Sequence, residues 1–377
     1  MPCLNEADTL RLCIEKARRA AAGAGIDAEI VVADNGSSDG SQQIAVELGA
    51  RLIDVPERGY GNALMGGIEA SRGRYILMGD ADDSYDFLEL PRFVEPLRGG
   101  FDLVQGCRLP IAGGRVLPGA MPFLHRWLGN PLLSRIARWM FRSSIHDVYC
   151  GMRAFDKDFY HRLDLRCTGM EFATEMIIKS SLIGAHIAEV PITLHPDGRK
   201  AHAPHLKTFR DGWRTVRLFL MCSPRWLFLV PGAMLVALGL VGYALALPGA
   251  RIFGVVLDAH TLMVASLAIL LGYQSILFSI FTKTFAISER LLPPDPRMDR
   301  FFGVFDLEKG LLLSVTSLIA GLALLVWATN EWRLVGFGPL DYSHTMRRLI
   351  PGVTLTALGL QTAASSFFVS ILGMRRR

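Results

Sequence analysis

The composition of the chain changes sharply near residue 224, and this change limits the fold more than any other feature of the sequence. Four apolar segments follow it, each long enough to cross a lipid bilayer as a helix: 226–247, 260–281, 310–327 and 349–372. None of them carries a charged residue near its centre, which argues against an ion or proton pathway through the helices. The sequence therefore predicts an all-α domain of four transmembrane helices at 225–377.

The distribution of positive charge predicts how these helices are oriented. The loop between the second and third segments is rich in lysine and arginine, and the chain ends in three arginines at 375–377. Positively charged loops stay on the cytoplasmic side, so both termini are expected in the cytoplasm. The N-terminal region is polar from Asn5 onward and has no apolar signal-peptide core, so we expect it to stay there as well. These observations predict a multi-pass protein of the cell inner membrane.

The residues before the membrane segments have the pattern of an α/β domain, predicted at 1–204. Short apolar strands alternate with helices, and this alternation is typical of a parallel sheet whose ligands gather at the carboxyl ends of the strands. A basic segment at 205–224 then leads into the first apolar helix and is predicted to lie at the membrane interface. The chain opens on Met1-Pro2-Cys3, which resembles the end of a strand, and the first strand of the sheet is therefore predicted to be missing.

Asp80 and Asp82 follow the apolar strand 75–78 directly, and they are the strongest candidates for a metal site. Carboxylates crowded at the end of a buried strand repel one another unless a cation lies among them. Oxygen ligands favour Mg²⁺ or Mn²⁺, and Mg²⁺ is usually held by one or two carboxylates together with substrate phosphates. The alternative is an acidic loop in which Ser84 or Asp86 caps the next helix.

Two further loops carry candidate ligand-binding residues. Asp34 and Asp39 lie in the turn-rich stretch 34–40, where they either stabilise the turn or accept hydrogen bonds from a nucleobase or ribose. Arg58 and Gly61 precede a predicted helix and form either a phosphate-binding loop or an ordinary helix start.

Two segments farther along the chain also leave two interpretations open. The amphipathic stretch 127–142 suits a helix in the membrane interface or one packed on the sheet. Arg199 and Lys200 follow the last strand and either flank the first membrane helix or bind an anionic ligand through charge-assisted contacts.

Taken together, the motifs of residues 1–220 resemble a known family. They are PCLNE at 2–6, DNGSSDG at 34–40, RGYGNA at 58–63, GDADD at 79–83, GCR at 106–108, DVYCGMR at 147–153 and EVPI at 189–192. In this order they resemble the inverting GT-A glycosyltransferases of family 2, in the branch of the dolichyl- and polyprenyl-phosphate sugar synthases. The QxxRW motif of the processive members is absent, which counts against polymer synthesis.

The resemblance implies a role for each candidate residue. It implies a GT-A (Rossmann-like) domain in which Asp80 and Asp82 hold Mg²⁺ or Mn²⁺ and the diphosphate, and in which the catalytic set is Asp82, Arg108 and Arg153, the two arginines facing the phosphates. The nucleotide-binding residues it implies are Pro2, Asn5, Glu6, Asp34, Asp39, Arg58, Gly61 and Asp80.

The function expected from these features is transfer of a sugar from a UDP- or GDP-sugar to a polyprenyl phosphate at the cytoplasmic membrane face. Such an acceptor is already anionic, so the reaction requires no strong general base. Arg199 and Lys200 are the candidates for binding its phosphate. The alternatives are a membrane scaffold or flippase-associated protein with a decayed GT-A domain, and a transferase acting on another lipid or a protein. We expect no nucleic-acid partner and leave a homo-oligomer open.

Overall fold

The computed structural model describes residues 1–199, 208–252 and 254–373, and it divides into two units, Met1–Cys222 and Ser223–Arg377. The boundary between the units lies inside the segment 205–224 that was predicted to be interfacial. Of that segment, 205–207 lie outside the described residues, and a helix of the first unit covers most of the remainder. The division of the chain at 204 and 224 stays a prediction.

In the part of the first unit that the structure describes, nine strands form three sheets. The first sheet has the order β1-β2-β3 and is parallel throughout, the second has the order β4-β7-β5-β8, and β6 pairs with β9. The strands are β1 (Pro2–Cys3), β2 (Val31–Asp34), β3 (Arg51–Asp54), β4 (Tyr75–Met78), β5 (Leu103–Cys107), β6 (Arg115–Val116), β7 (Arg153–Asp156), β8 (Ile187–Pro191) and β9 (Thr193–Leu194).

Eight helices, counted over residues 1–199 and 208–222, connect and cover these strands. They are α1 (Leu10–Gly23), α2 (Ser41–Glu47), α3 (Tyr60–Ala70), α4 (Leu90–Arg98), α5 (Asn130–Phe141), α6 (Lys157–Leu163), α7 (Phe172–Leu182) and α8 (Thr208–Met221). The largest apolar cluster joins α3, α5, α6 and α7 to β4, β5 and β7 through side chains such as Leu64, Phe155 and Phe172. The alternation of strand and helix predicted from the sequence is therefore present.

The second sheet corrects the prediction of a purely parallel arrangement. Arg153–Asp156 forms β7, which runs antiparallel to both β4 and β5. Only β5 and β8 are parallel in this sheet. The run Arg153-Ala154-Phe155-Asp156 is short and opens with a charged residue, so neither its length nor its polarity indicates a strand.

A strand of two residues, Pro2–Cys3, lies at the position where the first strand was predicted to be missing, and the absence of the rest of that strand stays a prediction. These two residues pair in parallel with Ala33 and Asp34 of β2. Beyond them, a cavity of about 370 Å³ lies between β2 and β4, lined by Val31, Ile76 and other apolar side chains. Tyr75, Ile76 and Leu77 of β4 line this cavity and are only partly buried, whereas Met78 is buried.

The amphipathic stretch 127–142 forms the end of a π-helical turn and then α5. Ala137 and Phe141 are buried in the core, so one face of the helix packs on the sheet. The opposite face exposes large apolar side chains, among them Trp127, Leu132 and Trp139. The helix is therefore packed on the sheet by one face, and its location at the membrane interface stays a prediction.

Among its described residues, the second unit contains four helices that are long and apolar enough to cross a membrane: Arg225–Ala246, Ala259–Ser288, Leu307–Leu334 and Tyr342–Gly373. They correspond to the four predicted segments. The first comprises a π-helical turn and α9 (Val230–Ala246), and the others are α10 (Ala259–Ser288), α12 (Leu307–Leu334) and α13 (Tyr342–Gly373). Shorter elements between them are the hairpin β10 (Arg251–Ile252) and β11 (Val255–Val256) and the helix α11 (Pro296–Val304).

Small residues let these helices approach closely, as is typical of membrane helix packing. A Cβ atom added at Gly232 would lie 2.7 Å from the carbonyl oxygen of Gly272 on α10, and one added at Gly321 would lie 2.5 Å from Thr356 on α13. Hydroxyl groups also bond between helices, since Tyr243 lies 2.6 Å from Ser266 and 3.0 Å from Thr354. The second unit is thus a packed helical domain.

Candidate functional site

The candidate site lies where β1, β2 and β4 end, as the sequence predicts for this fold class. Asp34 is the last residue of β2, and Asp80 follows the last residue of β4 by two positions. Asn5 and Glu6 follow β1, whose Cys3 pairs with Asp34. The residue pattern of short apolar strands ending in polar loops therefore brings most of the candidate residues to one end of the strands.

Asp34 is fully buried, and the described hydrogen bonds of its side chain are all accepted by one of its two carboxylate oxygens. One carboxylate oxygen accepts from the backbone N–H of Gly36 at 3.1 Å and of Ser37 at 3.0 Å, and from the Gln42 amide at 2.6 Å. Burial raises the pKa of Asp34, but the hydrogen bonds from Ser37 and Gln42 outweigh it and hold the pKa below its usual value. The other oxygen, Oδ1, is buried and has no hydrogen-bond partner among the described residues.

Asn5 and Asp39 join the N-terminal loop to the loop after β2. Asn5 has a positive φ of 59°, and its side-chain oxygen accepts from the Ser38 N–H at 2.8 Å. Asp39 accepts from the Ala7 N–H at 2.9 Å and from the Ser41 hydroxyl at 2.6 Å, which places it at the start of α2. Asp39 therefore stabilises the turn, which was one of the two interpretations of its loop, and Asn5 links the N-terminal loop to it.

Arg58 and Gly61 begin the connection into α3. The Arg58 side chain is exposed and donates to the carbonyl oxygen of Asn35 at 2.8 Å. Gly61 donates its N–H to the Thr168 carbonyl oxygen at 2.9 Å, and an added Cβ would lie only 2.4 Å from the Cys167 carbonyl oxygen. A glycine is thus required at position 61 because the chain passes close to residues 167–168.

Asp80 is held by Tyr60, a residue that the sequence analysis did not single out. The Tyr60 hydroxyl donates to Asp80 Oδ1 at 2.8 Å. Burial raises the pKa of Tyr60 well above its usual value, so the hydroxyl keeps its proton. Burial also raises the pKa of Asp80 to about 6, and the neighbouring carboxylate of Asp82 adds to this rise. Two carboxylates that disfavour each other's charge are the arrangement expected where a cation binds.

Asp82 forms an ion pair with a side chain of the same chain, Arg199. Its Oδ1 accepts from the Ser84 N–H at 3.0 Å and from the Ser84 hydroxyl at 2.6 Å, while its Oδ2 accepts from Arg199 at 3.2 Å. Arg199 also donates to Glu6 Oε1 at 3.0 Å and to both oxygens of Asp197. Three carboxylates thus surround one guanidinium group. Lys200, the other predicted phosphate-binding residue, lies outside the described residues.

Arg108, which was predicted to face the phosphates, is paired with Asp147 in this structure, and its contact with phosphate stays a prediction. Its Nε and one terminal nitrogen donate to the two oxygens of Asp147 at 2.7 and 2.8 Å, and its backbone N–H donates to the same side chain at 3.0 Å. Burial lowers the pKa of Arg108, but Asp147 reverses this effect and raises the pKa above its usual value. The Arg108 guanidinium is therefore engaged in a buried ion pair and does not face open space.

The side chain of Arg153 is fully buried, and its predicted role at the phosphates stays a prediction. Its terminal nitrogens donate to the carbonyl oxygens of Ala173 and Cys150, both at 2.6 Å. Burial lowers the pKa of Arg153 below its usual value. The side chain ties β7 to the start of α7.

The residues present fit a divalent metal together with a diphosphate. Among the described residues, no group of three or more His, Cys, Asp or Glu side chains is arranged to hold a metal by itself. Mg²⁺ is, however, usually held by one or two carboxylates with substrate phosphates completing its shell. Asp80 and Asp82 supply such a pair, and the guanidinium group against Asp82 shows that this position accommodates a positive charge.

Two residues of the site, Tyr60 and Asp147, were not predicted from the sequence, because each bonds to a residue that is distant in the sequence. Tyr60 bonds Asp80 from twenty positions away, and Asp147 binds Arg108 from thirty-nine positions away. The only available signal was that each lies inside a motif, RGYGNA or DVYCGMR, without a role assigned to it.

Comparison with known proteins places the chain among glycosyltransferases. The family described as "Glycosyl transferase family 2" matches residues 1–164, and "Glycosyltransferase family 2 C-terminal transmembrane region" matches residues 280–373. The "Low-salt glycan biosynthesis hexosyltransferase Agl6" of Haloferax volcanii is 37% identical over 374 residues, which is 99% of this chain and 88% of that protein. The "Dolichyl-phosphate hexose transferase" of the same organism is 34% identical over 49% of this chain and 76% of its own length.

A solved structure gives a weaker likeness. Glucosyl-3-phosphoglycerate synthase from Mycobacterium tuberculosis, in complex with Mn²⁺, uridine-diphosphate and phosphoglyceric acid, is 22% identical and covers 58% of this chain and 75% of its own length. Its TM-score is 0.45. A likeness of this size assigns no substrate or metal to the chain.

Proposed function

The chain belongs to glycosyltransferase family 2, and from this premise we propose that it transfers a hexose from a nucleotide-sugar to a polyprenyl phosphate at the cytoplasmic face of the inner membrane. The observation that carries the proposal is the set of carboxylates at the ends of β2 and β4, beside Arg199. Relatives named as a hexosyltransferase and as a dolichyl-phosphate hexose transferase support the same reaction class.

The nucleotide of the donor is proposed to bind at the end of β2. Asp34 Oδ1 is buried and has no partner in the part of the chain that the structure describes, and such an oxygen favours a ligand that donates a hydrogen bond, such as a uracil or guanine N–H or a ribose hydroxyl. Pro2, Asn5 and Glu6 border the same strand end, and Asp39, Arg58 and Gly61 shape the loops around it. A UDP-sugar and a GDP-sugar both meet this requirement.

Asp80 and Asp82 would hold Mg²⁺ or Mn²⁺ in this proposal. When bound, such an ion acts as a Lewis acid that neutralises the departing diphosphate. The hydroxyl of Tyr60 orients Asp80, and Ser84 orients Asp82, so both carboxylates have fixed positions before any ligand arrives. Fixed ligands of this kind lower the cost of reorganisation during the reaction.

Arg199 and Lys200 are proposed to bind the phosphate of the acceptor. A polyprenyl phosphate is anionic at neutral pH, so its oxygen attacks the sugar without help from a strong general base. Direct attack on an α-linked donor produces a β-linked product, which makes the reaction inverting. Arg199→Ala and Lys200→Ala should each raise the apparent KM for polyprenyl phosphate while nucleotide-sugar affinity changes little.

Arg108 and Arg153 are proposed to position the site rather than to bind phosphate. Arg108 and Asp147 together fix the end of β5, and Arg153 joins β7 to α7 close to the Tyr60–Asp80 pair. Substitution of either arginine should therefore reduce the stability of the first unit in addition to its activity.

The orientation in the membrane can be tested by labelling. Cysteine placed at Met298, next to Arg297 in the basic loop, should react with a membrane-impermeant reagent only after cells are permeabilised. Cysteine placed at Leu340, between α12 and α13, should react in intact cells. Labelling of position 298 in intact cells would contradict the proposed orientation.

The experiment that tests the proposed function uses membranes containing the full chain. They are incubated with a panel of UDP- and GDP-sugars and with polyprenyl phosphates, and the products are identified by mass spectrometry. A hexosyl-phosphate polyprenol is expected with one donor. Absence of product with every pair would favour the scaffold alternative, and a product on another lipid or on protein would show that the acceptor was misassigned.

A further inference from the structure

Arg199 is surrounded by carboxylates, which is unusual for a residue proposed to bind the phosphate of an acceptor. Its guanidinium forms ion pairs with Glu6 at 3.0 Å and Asp82 at 3.2 Å, and a further pair with Asp197. The side chain is only 10% exposed. Burial lowers the pKa of Arg199, but these carboxylates outweigh it, so the group stays charged. A long, usually exposed side chain is thus held inside a cluster of negative charges.

The backbone brings Arg199 to this place. The N–H of Gly198 donates to the carbonyl oxygen of Asp82 at 3.0 Å, and the N–H of His195 donates to that of Ser84 at 2.9 Å. A Cβ atom added at Gly198 would lie 2.9 Å from Thr9 Cγ2, so the segment passes close to the N-terminal loop. Residues 195–199 therefore lie directly against the loop that carries Asp80 and Asp82.

The position of the guanidinium conflicts with a metal on the same carboxylate. Asp82 Oδ1 is occupied by Ser84, so Oδ2 is the oxygen left for a metal, and Oδ2 is the atom that Arg199 binds. A divalent ion binds carboxylate oxygens at about 2.0–2.1 Å for Mg²⁺. A guanidinium within hydrogen-bonding distance of that same oxygen would be strongly repelled by the ion.

We infer that Arg199 is the cation of the metal-free site, and that a divalent metal must displace its guanidinium from Asp82 in order to bind. This inference rests on the proposed function, since it assigns the metal to the same carboxylates. Arg199 thereby lowers the affinity of the site for free metal. It also stabilises the first unit while no metal is present, because it neutralises carboxylates that would otherwise repel one another.

The test compares two variants that each remove one positive charge. Arg199→Gln removes the proposed competitor. Lys16→Gln is the matched control, because Lys16 pairs with Asp83 at 2.7 Å and Asp86 at 3.7 Å on the same loop, without contacting Asp82 in the described structure. Binding of Mn²⁺ alone to the purified full chain is measured by electron paramagnetic resonance, with no nucleotide or acceptor present.

Arg199→Gln should bind Mn²⁺ at least about tenfold more tightly than the wild type, which corresponds to ~1.4 kcal/mol. Lys16→Gln should differ from the wild type by less than about threefold. Without metal, Arg199→Gln should melt at a lower temperature than the wild type, and saturating Mn²⁺ should raise its melting temperature more than it raises that of the wild type. The second readout also shows whether the variant is folded.

Equal or weaker Mn²⁺ binding by Arg199→Gln would overturn the inference, as would an equal gain in Lys16→Gln. If Arg199→Gln is too unstable to purify, Arg199→Lys replaces it, and its shorter side chain should give a smaller gain of the same sign. Wild-type Mn²⁺ binding that is strengthened by UDP or GDP would leave the proposed function intact even if Arg199→Gln changes nothing. A wild type that binds Mn²⁺ under neither condition would count against both.

Discussion

The buried ion pair between Arg108 and Asp147 allows a direct test of whether Arg108 stabilises the fold or binds phosphate. Asp147 is fully buried and accepts three hydrogen bonds from Arg108, at 2.7, 2.8 and 3.0 Å. The substitution Asp147→Asn keeps the size of the side chain and removes its charge. The Arg108 guanidinium, which is 7% exposed as a residue, then stays buried without a counter-ion.

The expected loss of stability follows from this burial. Removing one partner of a buried ion pair costs about 3–5 kcal/mol, because the remaining charge is uncompensated. For a unit of this size each kcal/mol changes the melting temperature by about 2–4 °C. Asp147→Asn should therefore lower the melting temperature of the first unit by roughly 6–20 °C. Melting of the detergent-purified full chain is followed by tryptophan fluorescence.

The matched control is Glu47→Gln, which removes the charge from an exposed ion pair. Glu47 lies 3.1 Å from Arg11, and the two side chains are 64% and 50% exposed. Such a pair contributes about 0–1 kcal/mol, so this variant should melt within about 4 °C of the wild type. If Asp147→Asn melts as close to the wild type as the control and only donor affinity changes, Arg108 acts at the phosphates and the structural assignment is refuted.

Three further predictions concern the first unit. Burial raises the pKa values of Asp39 and Asp156, but hydrogen bonds outweigh burial and hold both pKa values below their ordinary 3.8. The stability that these carboxylates contribute is present above pH 3.8 and should be lost as the pH falls through their lower folded pKa values. In thermal melts between about pH 5 and pH 3, Asp156→Asn should therefore lose less stability than the wild type. Gly61→Ala should destabilise the unit by about 1–3 kcal/mol in thermal melts, because its Cβ would clash with Cys167, whereas Gly23→Ala, with no atom within 4 Å, should have no such cost. An apolar four-residue extension before Met1 should enter the cavity beside β2 and stabilise the unit by about 1–3 kcal/mol, and an equally long Gly-Ser extension, which has no apolar side chains to bury, should leave the melting temperature unchanged.

The features that the sequence predicted well are those that depend on local pattern. The four membrane helices follow from the length and apolarity of their segments, and the positions of β2, β3 and β4 follow from short apolar runs that end in polar loops. The convergence of Asp34 and Asp80 at one end of the strands follows from the general behaviour of α/β sheets.

The features that escaped prediction depend on contacts between distant residues. The strand β7 opens with Arg153, whose charge is tolerated in the core only because two carbonyl oxygens accept its hydrogen bonds. Arg108 is buried because Asp147 neutralises it. Arg199 reaches Asp82 across 117 positions and Glu6 across 193 positions. No local pattern indicates which carboxylate a given arginine will meet, so these pairings require the folded structure.

Asp82 is proposed to hold the metal that assists transfer of a hexose to a polyprenyl phosphate. The most direct measurement is mass spectrometry of the lipid product formed by the wild type, by the wild type with EDTA, and by Asp82→Asn, with Glu47→Gln as the control for a remote carboxylate. The wild type and Glu47→Gln should form hexosyl-phosphate polyprenol, and the other two samples should form none. Equal product from all four samples would contradict the claim.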